Sequence, residues 1–211
     1  GSSSGWENKV EMGKGRSAGI EFMAQKTAGK TTGWLSYTLS KSDRKFTKGG
    51  INNGEWFPYK YDRRHSINLT INHKFSDRID IGASWVFYTG GTSTIPEEKT
   101  TVIRPHNGAN NGFLWYGTYD NTNSSPTIGD VSYIEHRNNF RLPASHRLNL
   151  GVNFNKKTKH GMRTWNISLY NAYNAMNPAW VYRGHNKQGL SVIKKYTLLP
   201  LIPSFTYTYK F

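Results

Sequence analysis

The chain has 211 residues and a formal net charge of +15, with 36% hydrophobic and 14% aromatic residues. Cysteine is absent, which excludes disulfides and thiolate metal sites but fits the cytosol and an outer membrane equally. No run of about 18 apolar residues occurs, so a spanning helix is excluded, whereas alternating strands that span a membrane are not.

The positive charge alone would suggest nucleic acid or an anionic surface as a partner. The basic residues, however, concentrate in stretches that resemble turns and loops, such as residues 26–48 and 156–163. We therefore favour solvated loops over nucleic-acid binding. Contact with lipopolysaccharide phosphate is a third interpretation.

Alternation of apolar and polar residues with a period of two is the strongest pattern in the sequence, and it predicts strands. Each predicted strand is about 9–11 residues long, the length that a tilted strand needs to cross a membrane, whereas globular strands are nearer 5–6. The alternation is less clean in the first two than in the other five. In chain order the seven predicted strands are residues 17–26, 31–41, 66–75, 78–88, 147–155, 164–173 and 203–211.

The two faces of these strands differ in a way that suits a barrel with a hydrated interior. The polar positions carry Asn, Ser, Thr and Gly rather than the Lys and Glu that are usual on a solvated sheet. We expect the apolar face to contact lipid and the polar face to line a lumen. The clearest lipid-facing candidates are Leu148, Leu150, Val152, Phe205 and Tyr207, and the clearest lumen-facing ones are Asn149, Asn153, Thr206 and Thr208.

Tight and long connections alternate along the chain. The tight ones are residues 27–30, 76–77 and 156–161, and the long ones are residues 1–16, 42–63, 91–144 and about 174–202. Outer-membrane barrels have short periplasmic turns and long extracellular loops. The sequence therefore predicts an all-β, antiparallel transmembrane barrel, with the tight turns on the same side as Phe211 and residues 91–144 opposite.

Seven strands do not make a complete bacterial barrel, because single-chain barrels have an even number of strands and both ends in the periplasm. Counting back from Phe211 places residues 1–16 outside the cell. Seven strands also leave two unpaired edges, which lipid does not tolerate. We expect residues 1–211 to be the C-terminal part of a larger barrel, an open segment whose first and last strands do not pair with each other.

Several motifs, in their order and spacing, carry a resemblance. They include Tyr-Asp-Arg-Arg-His at residues 61–65, Arg-Asn-Asn-Phe-Arg-Leu-Pro at 137–143 and His-Arg-Leu-Asn-Leu at 146–150. Others are Gly-Lys-Gly-Arg-Ser-Ala-Gly-Ile-Glu at 13–21 and Ser-Leu-Tyr-Asn-Ala-Tyr-Asn at 168–174. Over nearly its whole length the chain resembles the late barrel of TonB-dependent outer-membrane receptors.

This resemblance implies a barrel of the 22-strand type that encloses an N-terminal plug and is energised through TonB. The chain would supply the last seven strands, without the plug or the TonB box. The implied partners are outer-membrane lipid and lipopolysaccharide, the remaining barrel and plug, the TonB system, and a surface lipoprotein lid or subunits of an envelope complex. The aromatic residues of the last strand resemble the signal that barrel-assembly machinery recognises: Phe205, Tyr207, Tyr209 and Phe211.

Two further groups of residues are distinguished by their aromatic side chains. The first lies near the predicted outer ends of strands, where a membrane-interface girdle is expected: Trp56, Tyr59, Tyr61, Tyr88, Trp180 and Tyr182. The second lies in the middle of the longest connection and is suited to stacking on sugars or closing against a partner protein, or equally to packing within its own loop. Its members are Asn111, Phe113, Trp115, Tyr116, Tyr119 and Asp120.

Neither catalysis nor a metal or cofactor site is predicted. The seven histidines are scattered without the spacing of paired ligands, and no nucleophile with an attendant base is evident. Three functions remain: active uptake of a nutrient too large for porins, such as a chelate, oligosaccharide or peptide; docking of partners in an envelope-assembly complex; and a soluble all-β binding module. Strand length and the alternation of connections argue against the last.

Overall fold

The computed structural model describes residues 10–47, 50–104 and 127–211, and over these ranges the protein is all-β with antiparallel sheets. A single 3₁₀ turn, Ile51–Gly54, is the one helical element of the described part. Within the same ranges, no helix combines the length and the apolar character needed to cross a membrane.

Fourteen strands form these sheets in the described part of the chain. In chain order they are β1 (Gly13–Lys26), β2 (Thr31–Phe46), β3 (Phe57–Pro58), β4 (His65–Lys74), β5 (Ile79–Tyr88), β6 (Thr92–Ser93), β7 (Glu98–Arg104), β8 (Thr127–Tyr133), β9 (Phe140–Arg141), β10 (Ser145–Thr158), β11 (Gly161–Tyr170), β12 (Pro178–His185), β13 (Ser191–Thr197) and β14 (Ile202–Lys210).

Seven long strands make the main sheet, which confirms the number predicted from the alternation. Its order is β1-β2-β4-β5-β10-β11-β14, so each long strand pairs with the next one along the chain, and short β3 pairs with β2. The path is open. Strands β1 and β14 lie at its two ends and do not pair with each other, and no other described residue pairs with their outer edges.

The three tight turns lie at one end of the main sheet, which we call the turn end: residues 27–30, 75–78 and 159–160. Lys210 pairs with Met162, directly after the last of these turns, so Phe211 lies at the turn end as predicted. The long connections leave from the opposite end, the loop end. The predicted tight connection 156–161 is too long, because pairing continues to Thr158 and Gly161.

The pairing register separates an apolar face from a polar face across the whole sheet. One row of the apolar face runs through Leu35, Leu69, Trp85 and Leu148, which pair in turn from β2 to β10. These side chains are not covered by a second layer. Phe57 is the one buried hydrophobic residue of the described part, whereas Leu150 is 37% exposed, Ile167 50% and Phe205 65%.

The first two strands extend beyond their predicted ends, which were residue 17 for the start of β1 and residue 41 for the end of β2. β1 begins at Gly13 and β2 continues to Phe46, with Arg16 paired directly opposite Asp43. The Arg16 guanidinium lies 3.0 Å from the Asp43 carboxylate, which is almost fully buried. This ion pair stabilises the pairing of β1 with β2 at this point. The alternation of apolar residues therefore could not predict how far the two strands extend.

β11 ends at Tyr170 rather than at residue 173, because Asn171 leaves the extended conformation. Its φ of 53° is left-handed, a region that Asn tolerates better than most residues. The buried side chain accepts a hydrogen bond from the N–H of Ala175 (2.8 Å) and donates to the carbonyls of Ala175 (3.0 Å) and Leu199 (3.1 Å). Asn171 thus terminates the strand and fastens the connection that follows.

The long connections contain ladders that the sequence analysis treated as loops. β6 pairs with β9, β7 with β8 and β12 with β13, each as a separate two-stranded sheet. Two of these ladders join segments more than 20 residues apart. Such pairings depend on the main sheet bringing the segments together at the loop end.

Candidate functional site

A buried carboxylate lies at the centre of the loop end. Asp62 precedes β4 and is only 1% exposed. Its carboxylate accepts hydrogen bonds from Arg141 Nη2 (2.6 Å), Arg64 Nε (2.9 Å) and the Ser42 N–H (2.7 Å). Three donors, two of them cationic, compensate the cost of burying this charge.

Arg141 joins the separate connections at this carboxylate. Its Nη1 also donates to the carbonyl oxygens of Asp62 (2.8 Å) and Gly90 (2.9 Å). At Gly90 an added Cβ would lie 2.0 Å from the Leu142 carbonyl oxygen, so glycine is what permits this close approach. We call Ser42, Asp62, Arg64, Gly90 and Arg141 the Asp62 clamp, since together they fasten four separate stretches of the chain at the loop end.

Competing influences set the pKa of Asp62. Burial by itself raises the pKa, and this is the largest single effect. The hydrogen bonds from Arg141 and Ser42 and the positive charges of Arg64 and Arg141 together outweigh it. The pKa of Asp62 therefore lies below its ordinary value of 3.8, and the group is ionised at neutral pH.

Asparagine side chains connect the same segments beside the clamp. Asn138 donates to the Pro58 carbonyl (2.7 Å), and the Arg137 N–H donates to Asn52 Oδ1 (2.8 Å). Asn52 and Asn138 both have left-handed φ angles, of 50° and 54°. The loop end is consequently held by hydrogen bonds between residues up to 85 positions apart in sequence.

Three of the predicted girdle residues lie in the connection between β2 and β4. The Arg16 guanidinium carbon stands 4.3 Å from the centre of the Trp56 ring, and that of Arg44 stands 4.1 Å from Tyr59. Tyr59 also meets Tyr61 edge to face at 5.4 Å, and Tyr61 is 64% exposed. Lys60 Nζ lies 5.6 Å from the centre of the Tyr61 ring, so all three rings have cation–π contacts, which the sequence analysis did not consider.

Tyr88 is the one predicted girdle residue that lies in the main sheet, and it does not lie on the apolar face. This residue pairs with Ser66 and Ser145, which places it on the polar face of the sheet. A girdle ring must lie on the face that meets lipid. Tyr88 is covered instead by the Arg63 guanidinium, 4.0 Å from the ring centre.

Trp180 and Tyr182, the remaining girdle candidates, lie on β12, outside the main sheet. Trp180 stacks on Tyr196 of β13, with ring centres 4.2 Å apart and planes inclined by 9°. Trp180, Tyr182 and Tyr196 are all about half exposed. The β12–β13 hairpin therefore carries a rigid, accessible aromatic surface at the loop end.

The candidate binding residues of the longest connection lie outside the described residues. They are Asn111, Phe113, Trp115, Tyr116, Tyr119 and Asp120. Their interpretation as a sugar or partner surface stays a prediction.

The aromatic residues of the last strand lie where the alternation predicts. Phe205, Tyr207 and Tyr209 share the apolar face of β14, and Phe211 follows the strand. Trp165 of β11 lies between Phe205 (5.1 Å) and Tyr207 (4.5 Å). All four residues are exposed. Their interpretation as an assembly signal stays a prediction.

On the polar face, amide side chains form a hydrogen-bonded network near the turn end. Asp80 accepts from Asn153 Nδ2 (2.7 Å) and Asn155 Nδ2 (2.6 Å). Asn153 accepts in turn from Asn166 (2.7 Å), and Asn155 accepts from Thr164 (2.8 Å). The network crosses three strands and uses the polar residues that the sequence analysis assigned to a lumen.

One group of potential metal ligands escaped the sequence analysis. The ligating atoms of Glu97, Glu135 and His136 lie within 4.8 Å of one another, and all three side chains are exposed. The Glu97 carboxylate already accepts from Asn139 (3.0 Å) and contacts His136 Nδ1 (3.1 Å), and the Asn139 bond is the largest cause lowering its pKa. Since 39 positions separate Glu97 from His136, no local spacing could have indicated the group.

Comparison with known proteins gives no relatives, since no family model, no curated protein and no solved structure matches this chain.

Proposed function

We propose that this chain forms part of a transmembrane β-barrel in a bacterial outer membrane, in a transporter of the TonB-dependent type. The observation that carries the proposal is the uncovered apolar face of the seven-stranded sheet. Soluble monomers rarely expose a contiguous apolar surface larger than a few hundred Å². A hydrocarbon layer would cover this face, and strands of 9 to 16 residues are long enough to cross it.

The opposite face supports a hydrated interior. Its central positions are Asn, Ser, Thr and Gly, and several are joined in the network around Asp80. Interior positions of outer-membrane barrels are polar in this way, whereas a second protein layer would require apolar contacts. The polar face is thus suited to water, a plug or a passing solute.

Completion of the barrel requires strands in addition to these seven. The outer edges of β1 and β14 would present unpaired N–H and C=O groups to hydrocarbon, at a cost of several kcal/mol each. We propose that further strands pair with both edges, from the same polypeptide or from a second chain. Seven strands alone would also enclose too narrow a lumen for a plug.

Uptake of a nutrient too large for porins is the proposed activity, and the resemblance of the motifs in β1, β4, β10 and β11 supports it. The Asp62 clamp supports it too. A clamp of this kind keeps long external loops ordered around an entrance, where a solute is first bound.

Surface labelling tests the proposed orientation. Because this sequence has no cysteine, Lys159→Cys and Lys187→Cys each introduce a single thiol into it. Lys159 lies in a tight turn, and Lys187 lies between β12 and β13. In intact cells we expect a membrane-impermeant maleimide to label Lys187→Cys, and to label Lys159→Cys only after lysis. Equal labelling of both in intact cells would contradict the orientation.

Energy dependence tests the transport activity. In native cells, deleting TonB and deleting this protein should abolish uptake of the same nutrient, with no additive effect. The matched measurement is uptake of a small sugar that porins admit, which should not change. If TonB loss has no effect while the protein is retained in a complex with envelope proteins, the docking function is correct instead.

The β12–β13 hairpin favours that alternative. It carries the exposed Trp180–Tyr196 stack together with Lys194 and Lys195, on a two-stranded sheet separate from the main one. Exposed aromatic residues such as Trp180 and Tyr196 are enriched at protein contacts. The uptake measurement decides between the two functions.

A further inference from the structure

A shallow, open cleft lies on the apolar face at the turn end, between the β10–β11 turn and β14. Its volume is about 410 Å³, and its lining consists of Thr158, Lys159, His160, Arg163, Tyr207 and Tyr209. No acidic side chain lines it. A cleft with cationic side chains and tyrosines at the border of an apolar surface has the chemistry of an anion site.

The cations around this cleft lie next to one another and have no anionic partner among the ion pairs of the described residues. Arg163 pairs with Lys156 on one side and with Tyr209 on the other, so two positive charges occupy one row of the apolar face. Among the ion pairs of the described residues, none involves Lys156, Lys159 or Arg163. By contrast Lys74, at the same end of the sheet, contacts the Asp77 carboxylate at 2.8 Å.

An aromatic surface continues directly from the cationic row toward the middle of the sheet. The next row contains Phe154, Trp165 and Tyr207, which pair across β10, β11 and β14. Trp165 contacts Tyr207 and also Phe205 one row further on. Charge therefore lies at the rim and apolar surface lies inward, which is the polarity of a phospholipid.

We propose that this cleft binds an anionic glycerophospholipid, with the phosphate held by Lys159, His160 and Arg163 and an acyl chain lying along Trp165 and Phe205. The proposal rests on the proposed function, because that function places the turn end at the periplasmic leaflet. The tyrosine hydroxyls of the cleft donate to the same headgroup. The lipid would hold the β10–β11 hairpin and the edge strand β14 together at the membrane surface.

Lipid retention by the full chain tests the site. The chain is placed in neutral detergent micelles, and native mass spectrometry measures binding of phosphatidylglycerol and, for comparison, phosphatidylcholine. The test variant is Lys159→Gln/Arg163→Gln. The matched control is Lys187→Gln/Lys194→Gln, which removes the same charge from the β12–β13 hairpin. Each cation near a lipid surface contributes about fivefold in affinity, so the test variant, which lacks two, should bind phosphatidylglycerol roughly 25-fold more weakly.

The control variant should change that affinity by less than about twofold, since its charges lie away from the cleft. Equal loss in both variants would overturn the site, as would undiminished binding by the test variant. Inorganic phosphate forms a separate arm of the test. If phosphate alone binds as tightly as the lipid, the cleft is a free-phosphate site and the lipid assignment is wrong.

Partitioning into neutral phosphatidylcholine vesicles separates this inference from the proposed function. If neither wild type nor variant partitions, the membrane function itself fails. If both partition equally and only the wild type prefers phosphatidylglycerol, the lipid site is supported. If both partition with no such preference, the membrane function survives and the lipid site is overturned.

Discussion

Replacing Leu150 by arginine is expected to lower the free energy of unfolding in lipid vesicles by about 2–4 kcal/mol. Leu150 lies on the apolar face of β10, between Ala83 of β5 and Leu169 of β11. A charge at this depth would have to enter hydrocarbon or deform the bilayer. Denaturant unfolding of the full chain in vesicles, followed by tryptophan fluorescence, measures the difference.

The size of this loss of stability distinguishes a side chain that faces lipid from one that faces water. Leu150 is 37% exposed, so on a solvated sheet the substitution should change stability by no more than about 0.5 kcal/mol. Ser168→Arg is the matched control, because Ser168 pairs with Gly151 on the polar face at nearly the same depth. We expect the control to be tolerated. A loss of stability at Ser168 comparable with that at Leu150 would argue against a hydrated lumen.

Asp62→Asn should release the loop end without unfolding the main sheet. Removing the charge leaves Arg64 and Arg141, each about one-third exposed, without their common anion. Breaking a buried pair costs about 3–5 kcal/mol, and partial exposure of the arginines reduces this to about 2–3 kcal/mol. Limited trypsin digestion should then cleave residues 60–64 roughly 30- to 150-fold faster.

Glu135→Gln provides the control for charge, because Glu135 is an exposed carboxylate in another connection of the same loop end. Its digestion rate should match that of the wild type. If Asp62→Asn is cleaved no faster than this control, the clamp does not order the loop end. Loss of the whole sheet would instead be detected as a change in tryptophan fluorescence.

Acid should open the same clamp. A group whose folded pKa is lowered stabilises the fold above its unfolded pKa and loses this contribution as the pH falls through the folded value. Protection of residues 60–64 against proteolysis, measured with a protease that is active in acid, should therefore be constant from pH 7 to about 5. It should decrease only below about pH 4. Asp62→Asn should lack the decrease. A decrease that is already complete at pH 6 would contradict the assignment to Asp62.

The sequence by itself determined the seven long strands, their order and the difference between their faces. Alternation such as that of Phe205, Thr206 and Tyr207 reports a local property, namely which side of a pleated strand each residue occupies. Tight turns between successive strands then leave little freedom in the pairing order. The fold class follows from this local information, and so does the placement of tight turns at one end of the sheet and long connections at the other.

Strand ends, the small ladders and the site depended on the tertiary structure. Arg16 extends β1 only because Asp43 lies opposite it, and Asn171 ends β11 through contacts with Ala175 and Leu199. Asp62 and Arg141 are 79 positions apart, yet they form the centre of the loop end. Polar contacts at such separations have no periodicity that a sequence displays. They form only after the main sheet has brought the connections to one end, and for that reason the sequence alone did not reveal the clamp.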